Sequence, residues 1–584
     1  LATRLERRQL LARASSLRAD GEPAAARALL EAQPANAEIS LQLGDWALTD
    51  GQSDTAELYY QRALKLEPDN LQAHLGLAEA TLASGDKARA RLLLSRLELP
   101  TDAIAARRRA ADTWLQLGDT TRAEALVAAT LAQPAAAEDA QTWRDAARIA
   151  RADDQPQKAL DRYRHGMVAA GIADSAALTE DAEFTRATRS QTDDDWLTGS
   201  LRSESATLYQ SLDTRVRAAR QVDNDSGTDG VSSLTTTTDM FEVDTPINGG
   251  RGFLRLDRVS LDAGRLARDA DGLARETFGT CAVVGCTGDL HQQDSGVSIG
   301  LGWYDETWRM DIGTTPLGFA VEDWTGGVQY SGDVGPLWLT ATMSRRALDD
   351  SLLAFAGAQD PRSGTTWGGI RATGASLGLG YDQGGPNGVW SNLGVHHLGG
   401  ENVPDNTRVQ LMGGVYHKLI NDEHRRLSVG ISSLAMHYRR ELGGYSLGQG
   451  GYYSPQRYFS LSLPVSYTRR NGDWSWQLDA AISQSWTDSD DSARYPLGGA
   501  EVAGLPDASA TRGGGSGGGF GFSLSGRVER RLADHWIAGL AIGLQQAEDY
   551  APNGFSLSLR YSFGAWQGDL AMPPEALEPY ASFD

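Results

Sequence analysis

The residues of this 584-residue chain that could do covalent chemistry are acidic ones in glycine-rich stretches. Glu401 with Asp405, and Asp488 with Asp490 and Asp491, have the types of a glycosidase pair, in which one carboxylic acid protonates the leaving oxygen and a second carboxylate attacks or activates water. No Ser/His/Asp or metal-ligand constellation accompanies either group, and an acidic chain supplies such pairs by chance, so the residues read as those of a protein without enzyme activity. The glycines from Gly513 to Gly519 lack the Lys-Ser/Thr and helix that follow a phosphate loop. Cys281 and Cys286 are too few for a zinc site and have no paired histidines nearby; in an oxidising compartment they close a small disulfide loop. No cofactor and no metal are expected.

What remains is binding and passage, and the elements that would position such a function are strands. Phe459, Leu461, Leu463, Val465 and Tyr467 alternate with Ser460, Ser462, Pro464 and Ser466. After a turn, Trp474, Trp476, Leu478, Ala480 and Ile482 alternate with Ser475, Gln477, Asp479 and Ser483. Period two gives each strand one oily and one polar face. The pattern recurs to the end of the chain with no helices to cover it, which predicts a closed antiparallel barrel with lipid outside and water inside. Strands are predicted at 207–222, 231–245, 251–262, 294–303, 306–314, 323–332, 336–346 and 367–382, then at 387–397, 406–419, 426–438, 456–469, 473–486, 519–532, 535–547 and 554–563. Connections after even strands are short and the long ones follow odd strands, as in a sixteen-stranded transmembrane barrel. Trp474 and Trp476 fall on the oily face beside a short turn, the position of an aromatic girdle.

Residues 1–173 read differently. Leu43, Gly44, Ala47, Ala56, Tyr60, Ala63 and Pro68 stand at the offsets of a tetratricopeptide helix pair, and the turn glycines Gly21, Gly51, Gly85 and Gly118 repeat at roughly 34-residue intervals. Five units are predicted, stacked as an α-helical solenoid, with Asp153 to Pro156 standing in for the last glycine turn. Arg107, Arg108 and Arg109 read as a solvated helix face. Residues 174–200 lose the repeat and read as a linker, followed by the barrel over 201–563 and a tail over 564–584. The opening LATRLERRQLL already reads as helix, as in a piece of a longer processed chain. A net charge of −22 disfavours a nucleic-acid partner, and the lack of any run of 18 apolar residues excludes a helical span.

The stretch GYSLGQGGYYSPQRYF, from Gly444 to Phe459, together with SGTDGVSSL, DIGTTPLGF, SLLAFAGAQD, GGENVPDNTRV, HWIAGLAIGLQQAEDYAP and GAWQGDLAMPPEALEPYA, resembles the C-terminal domain of the bacterial cellulose synthase C subunit, the outer-membrane cellulose exporter. The resemblance covers residue 201 to the end. It implies a periplasmic repeat scaffold joined to an outer-membrane barrel that guides a linear β-1,4-glucan to the cell surface. The implied partners are the cellulose chain, the inner-membrane synthase complex through the repeats, peptidoglycan as a further partner, and outer-membrane lipid. Export of another exopolysaccharide, or a porin or adhesin with scaffold repeats, are the competing readings.

A neutral glucan presents apolar sugar faces and hydroxyl edges, so its conduit needs aromatic platforms among polar side chains. Strand parity turns Trp338, Trp390, Asn392, Arg527 and Arg560 inward as polysaccharide-binding positions. Tyr445, Tyr452 and Tyr453 are too apolar for a purely solvated loop, and Tyr452 and Tyr453 are expected to meet the polymer or gate its exit. In the tail, Pro573 and Pro574 forbid a strand or helix, while Trp566, Met572, Leu577, Tyr580 and Phe583 are too apolar to hang in water. The tail is expected to dock in the periplasmic mouth of the barrel.

Overall fold

The computed structural model describes residues 2–498, 502–505, 509–547 and 551–582. It divides into two compact units, Leu1–Tyr209 and Gln210–Asp584.

The first unit is helical. Five antiparallel pairs run in order: α1 (Ala2–Ala19) with α2 (Pro23–Glu31), α3 (Ala37–Thr49) with α4 (Ser53–Leu66), α5 (Leu71–Ala83) with α6 (Lys87–Ser95), α7 (Ile104–Gln116) with α8 (Thr120–Leu131) and, after the short α9 (Pro134–Ala137), α10 (Ala140–Ala152) with α11 (Pro156–Ala169). The turns need a left-handed residue, supplied by Gly21, Gly51, Gly85 and Gly118 at φ of 84°, 72°, 93° and 78°, and in the fifth pair by Asp154 at 55°. The small residues within the helices have a separate role. A β-carbon on Gly44 or Gly76 would stand 2.8 or 2.3 Å from the fully buried Tyr60 ring, which therefore locks α4 between α3 and α5.

Three expectations change here. The arginine run on α7 is not a solvated face: Arg107 is buried, Arg108 binds Asp139 at 2.7 Å and Asp145 at 3.2 Å, and Arg109 grips Glu79 at 2.5 and 2.6 Å. The run joins α7 to its neighbours on both sides, because stacking the units brings acidic residues from α5 and α10 to its flanks. The stretch read as a linker holds α12 (Asp181–Ala187) and the start of α13 (Trp196–Leu212). Phe184 is fully buried beneath the Arg164 guanidinium, which binds Asp181. The strand expected from residue 207 begins at Arg215 instead, since Leu201, Ser205, Leu208 and Tyr209 are buried at the spacing of one helix face.

The second unit is a closed antiparallel barrel of sixteen strands. They are β1 (Arg215–Asp225), β2 (Leu234–Ile247), β3 (Gly250–Arg265), β4 (His291–Tyr304), β5 (Trp308–Thr314), β6 (Trp324–Val334), β7 (Leu337–Ala347) and β8 (Thr366–Tyr381), followed by β9 (Asn387–Glu401), β10 (Val403–Asn421), β11 (Arg425–Tyr438), β12 (Arg457–Asn471), β13 (Trp474–Ser489), β14 (Phe520–Ala533), β15 (Trp536–Gln546) and β16 (Asn553–Ser562). Each pairs with its sequence neighbour, and β1 closes on β16 from Arg215 opposite Ser562 to Asn224 opposite Asn553. Closure leaves no edge, so every ladder hydrogen bond is made within the sheet, which a hydrocarbon surround demands.

The apolar faces point outward: Leu377, Leu393, Leu463, Ile482, Leu524 and Leu557 are all exposed. At the short-turn end this belt is bordered by aromatic pairs, Trp308 with Tyr330, Tyr467 with Trp476 and Trp536 with Tyr561, whose centroids lie 5.1, 5.1 and 4.8 Å apart. Trp474 joins them with Arg530 over its ring. At the long-loop end Phe459 stacks on Trp486. Two such girdles mark where a barrel meets the headgroups on either side of a bilayer.

Candidate functional site: the inner wall and its tail

Residues directly opposite one another in an antiparallel ladder point to the same face. Arg560 lies opposite Arg217, Arg217 opposite Glu242 and Glu242 opposite Arg255. These side chains fill the inner wall and pair with one another: Arg217 binds Glu242, Arg255 binds Asp257 at 2.9 Å, and Arg346 binds Asp311 at 2.7 Å. Following the register round the barrel puts Trp338, Trp390 and Asn392 on this same inner face. Trp338 is half exposed to the interior, and Trp390 and Asn392 are partly covered.

The chain after β16 turns back into the barrel. Trp566 starts at the short-turn end, where its backbone N–H donates to the Asp534 carbonyl at 2.7 Å. Ser475 donates to the Ala571 carbonyl at 2.5 Å, and Arg560 holds Glu575 at 2.6 Å. Leu577 is buried against Ala219 and Met240, and Arg527 holds Glu578 at 3.0 Å. Tyr580 lies farther in, with its backbone N–H on Asp257 at 2.6 Å and its hydroxyl donating to Asp311 at 2.7 Å. The apolar tail residues thus find cover, as their composition required. They run past the mouth and along the wall, because the inward arginines hold the two tail glutamates and the carboxylates Asp257 and Asp311 hold Tyr580. Phe583 lies outside the described residues. Arg527 and Arg560 are therefore engaged by the tail, and Arg560 also faces Glu529 at 3.4 Å. A cavity of about 390 Å³ remains beside the tail, lined by Gln221, Asp223, Ser525, Arg527, Asn553 and Glu578.

The long loops form a second cover. Leu266, Phe278, Phe319, Leu353, Phe355 and Leu447, from loops after four different strands, share one hydrophobic core with Trp367 and the inward residues Val259 and Leu261. The helical turn Leu352–Phe355 touches β3, β4 and β8, and Ser351 at its start donates to the Gly451 carbonyl at 2.6 Å. Cys281 and Cys286 are disulfide-bonded within this core. Tyr452 is 2 % exposed, packed on Tyr438 and accepting a hydrogen bond from Asn406 at 3.0 Å. It binds loop to strand and offers no free face to a polymer, since Gly450 and Gly451 just before it let the motif fold into the core. Tyr453 keeps half its surface, with its hydroxyl on Thr487 at 2.7 Å. Asp405 faces His397 at 3.7 Å, Asp488 faces Arg457 at 3.5 Å and Asp491 accepts from the Gly514 backbone at 2.7 Å, and among the described residues no group of three or more His, Cys, Asp or Glu is placed to hold a metal.

Parity reading missed Tyr416. It lies on the inner face of β10, two residues beyond Gly414, which stands opposite Trp390. Its hydroxyl donates to Asp382 at 2.6 Å, and Lys418 binds the same carboxylate at 2.6 Å. These contacts, led by Lys418, hold the Asp382 carboxyl well down, to about 2. The alternation of Leu411 and Val415 with the residues between them would have found Tyr416.

The family model described as cellulose synthase operon protein C C-terminus matches residues 232–564, and a tetratricopeptide repeat model matches residues 47–103. Cellulose synthase operon protein C of Escherichia coli strain K12 is 42 % identical over 592 residues, covering 100 % of this chain and 51 % of that one. The protein of the same name from Salmonella typhimurium is 44 % identical over 594 residues, covering 100 % and 50 %. A solved bacterial polysaccharide outer membrane secretin overlays with a TM-score of 0.40 at 10 % identity, over 60 % of this chain and 98 % of that one. The chain spans about half the length of the curated relatives it matches. It belongs to the family of the cellulose synthase operon protein C C-terminus.

Proposed function

We propose that this chain is the outer-membrane passage of a cellulose export route: the barrel conducts a β-1,4-glucan from the periplasm to the cell surface, and the helix pairs serve as periplasmic scaffold toward an inner-membrane synthase complex. In this reading the short turns and the tail face the periplasm, the long loops face outward, and the protein binds and guides its polymer without catalysis. The observation that carries it is the inner wall of a barrel of this family. Arginines there alternate with aspartates and glutamates, as in Arg217, Glu242, Arg255 and Asp257, and the rings of Trp338, Trp390 and Tyr416 stand on the same face. A charged polymer would need a wall dominated by one sign, whereas mixed charge with aromatic faces suits a neutral sugar chain.

The test is oligosaccharide binding to the purified barrel, comparing cello-oligosaccharides with uronate oligomers. Preference for the neutral series supports the reading. Preference for uronates would replace it with export of an acidic exopolysaccharide.

A further inference from the structure

The tail's hydrogen bonds fall on β3, β5, β11, β13, β14 and β16. The inward aromatics Trp338, Trp390 and Tyr416 lie on β7, β9 and β10, at the short-turn end. Each leans across a glycine of the neighbouring strand. A β-carbon on Gly380 would stand 3.7 Å from Trp338 Cε3, one on Gly414 2.9 Å from Trp390 Nε1, and one on Gly388 2.1 Å from Tyr416 Cζ. None of these glycines has a positive φ, so at Gly388 and Gly414 the space for the ring is what the residue supplies, whereas at Gly380 the contact is an ordinary one. A ring seated over a glycine lies along the wall and presents its face to the lumen instead of projecting across it.

The spacing is regular as well. Trp338, Gly380, Trp390 and Gly414 stand opposite one another in a single ladder row across four strands. Two strand spacings separate the indoles' backbones by about 9.6 Å. That is close to one disaccharide repeat of an extended β-1,4-linked chain, in which every second sugar presents the same face. Asn392, two residues from Trp390 on the inner face of β9, adds an amide for the hydroxyl edge.

We infer that Trp338, Trp390 and Tyr416, seated over Gly380, Gly414 and Gly388, form a stacking track for a neutral β-linked glucan on the part of the wall next to the tail-bearing strands. This rests on the reading of the lumen as a glucan passage and names where in it the chain is held. Binding to such a track is weak per ring, which lets a moving polymer release from one platform to the next.

The experiment measures the affinity of the full chain for cello-oligosaccharides by calorimetry. Trp390→Ala and Gly414→Ala should each weaken binding about five- to tenfold, the second because the new methyl meets the indole, lifting it off its seat, as well as the Ile431 carbonyl oxygen 2.8 Å away. Gly388→Ala should act in the same way through Tyr416. Trp390→Phe should keep most of the affinity, which separates loss of a ring from failure to assemble. Gly543→Ala, an inward glycine with nothing within 4 Å, should leave binding unchanged. Wild-type affinity in both Gly414→Ala and Gly388→Ala would overturn the track while the export reading stands. A wild-type chain with no affinity for cello-oligosaccharides would overturn both.

Discussion

The inner wall of the barrel has two differently built arcs. Along β13 to β16 and β1 to β5 the inward positions carry most of the charges that hold a segment of the same chain, through Arg527, Arg560, Asp257 and Asp311. At the short-turn end of β7 to β10 they alternate aromatic and glycine in one row, Trp338, Gly380, Trp390 and Gly414, and Trp338 keeps 51 % of its surface exposed. The backbone is the same in both arcs, with the same pairing and the same alternation. The difference lies in what the side chains can bind tightly: paired charges in a narrow lumen fix a fixed partner, whereas a ring over a glycine offers a face that any sugar can take and leave. One arc looks built to retain, the other to let slide.

Removing the retained segment tests this contrast most strongly. Deletion of residues 567–584 should raise the ion conductance of the reconstituted barrel severalfold, read in planar bilayers, since the tail fills part of the lumen. Unchanged conductance from an assembled barrel would mean that the long-loop cover alone sets the resistance. Next in size, the double substitution of Arg527 and Arg560 by Ala leaves Glu578 without Arg527 and Glu575 with Arg215 at 3.9 Å, and should weaken tail docking by about 1 to 2 kcal/mol. Limited proteolysis would then cut within 570–582 in the variant and not in the wild type.

On the other arc, Trp338→Ala and Trp390→Ala should leave tail proteolysis and barrel stability near wild type, within about 1 kcal/mol, because neither ring supports the tail. A tail loosened by either change would merge the two arcs into one network. The smallest effect concerns pH. Asp382, lowered to about 2, holds Tyr416, and a depressed carboxylate contributes above its unfolded value near 4 and loses that contribution only as pH falls through about 2. Oligosaccharide affinity through Tyr416 should therefore be flat between pH 5 and pH 8, and a drop at pH 5 would point to another group.

The sequence alone determined what depends on near neighbours along the chain. Alternation of Leu463 with Pro464 or of Trp476 with Gln477 sets which face is oily, because successive side chains in a strand point in opposite directions. The strand count, the short and long connections, the five helix pairs with their turn glycines and the Cys281–Cys286 loop were legible for the same reason. Even the need for the tail to dock could be read from its prolines and apolar residues. Tertiary structure decided the partners. Arg109 meets Glu79 only once two repeat units stack, and Arg255 meets the Glu578 carbonyl across 323 residues of chain. Tyr452 turns out buried, the helix Trp196–Leu212 replaces an expected strand start, and Trp390 finds its seat on Gly414 through strand register. Parity fixes the direction of a side chain within two residues, whereas its partner is fixed by closing the barrel, which brings together segments that no local pattern relates.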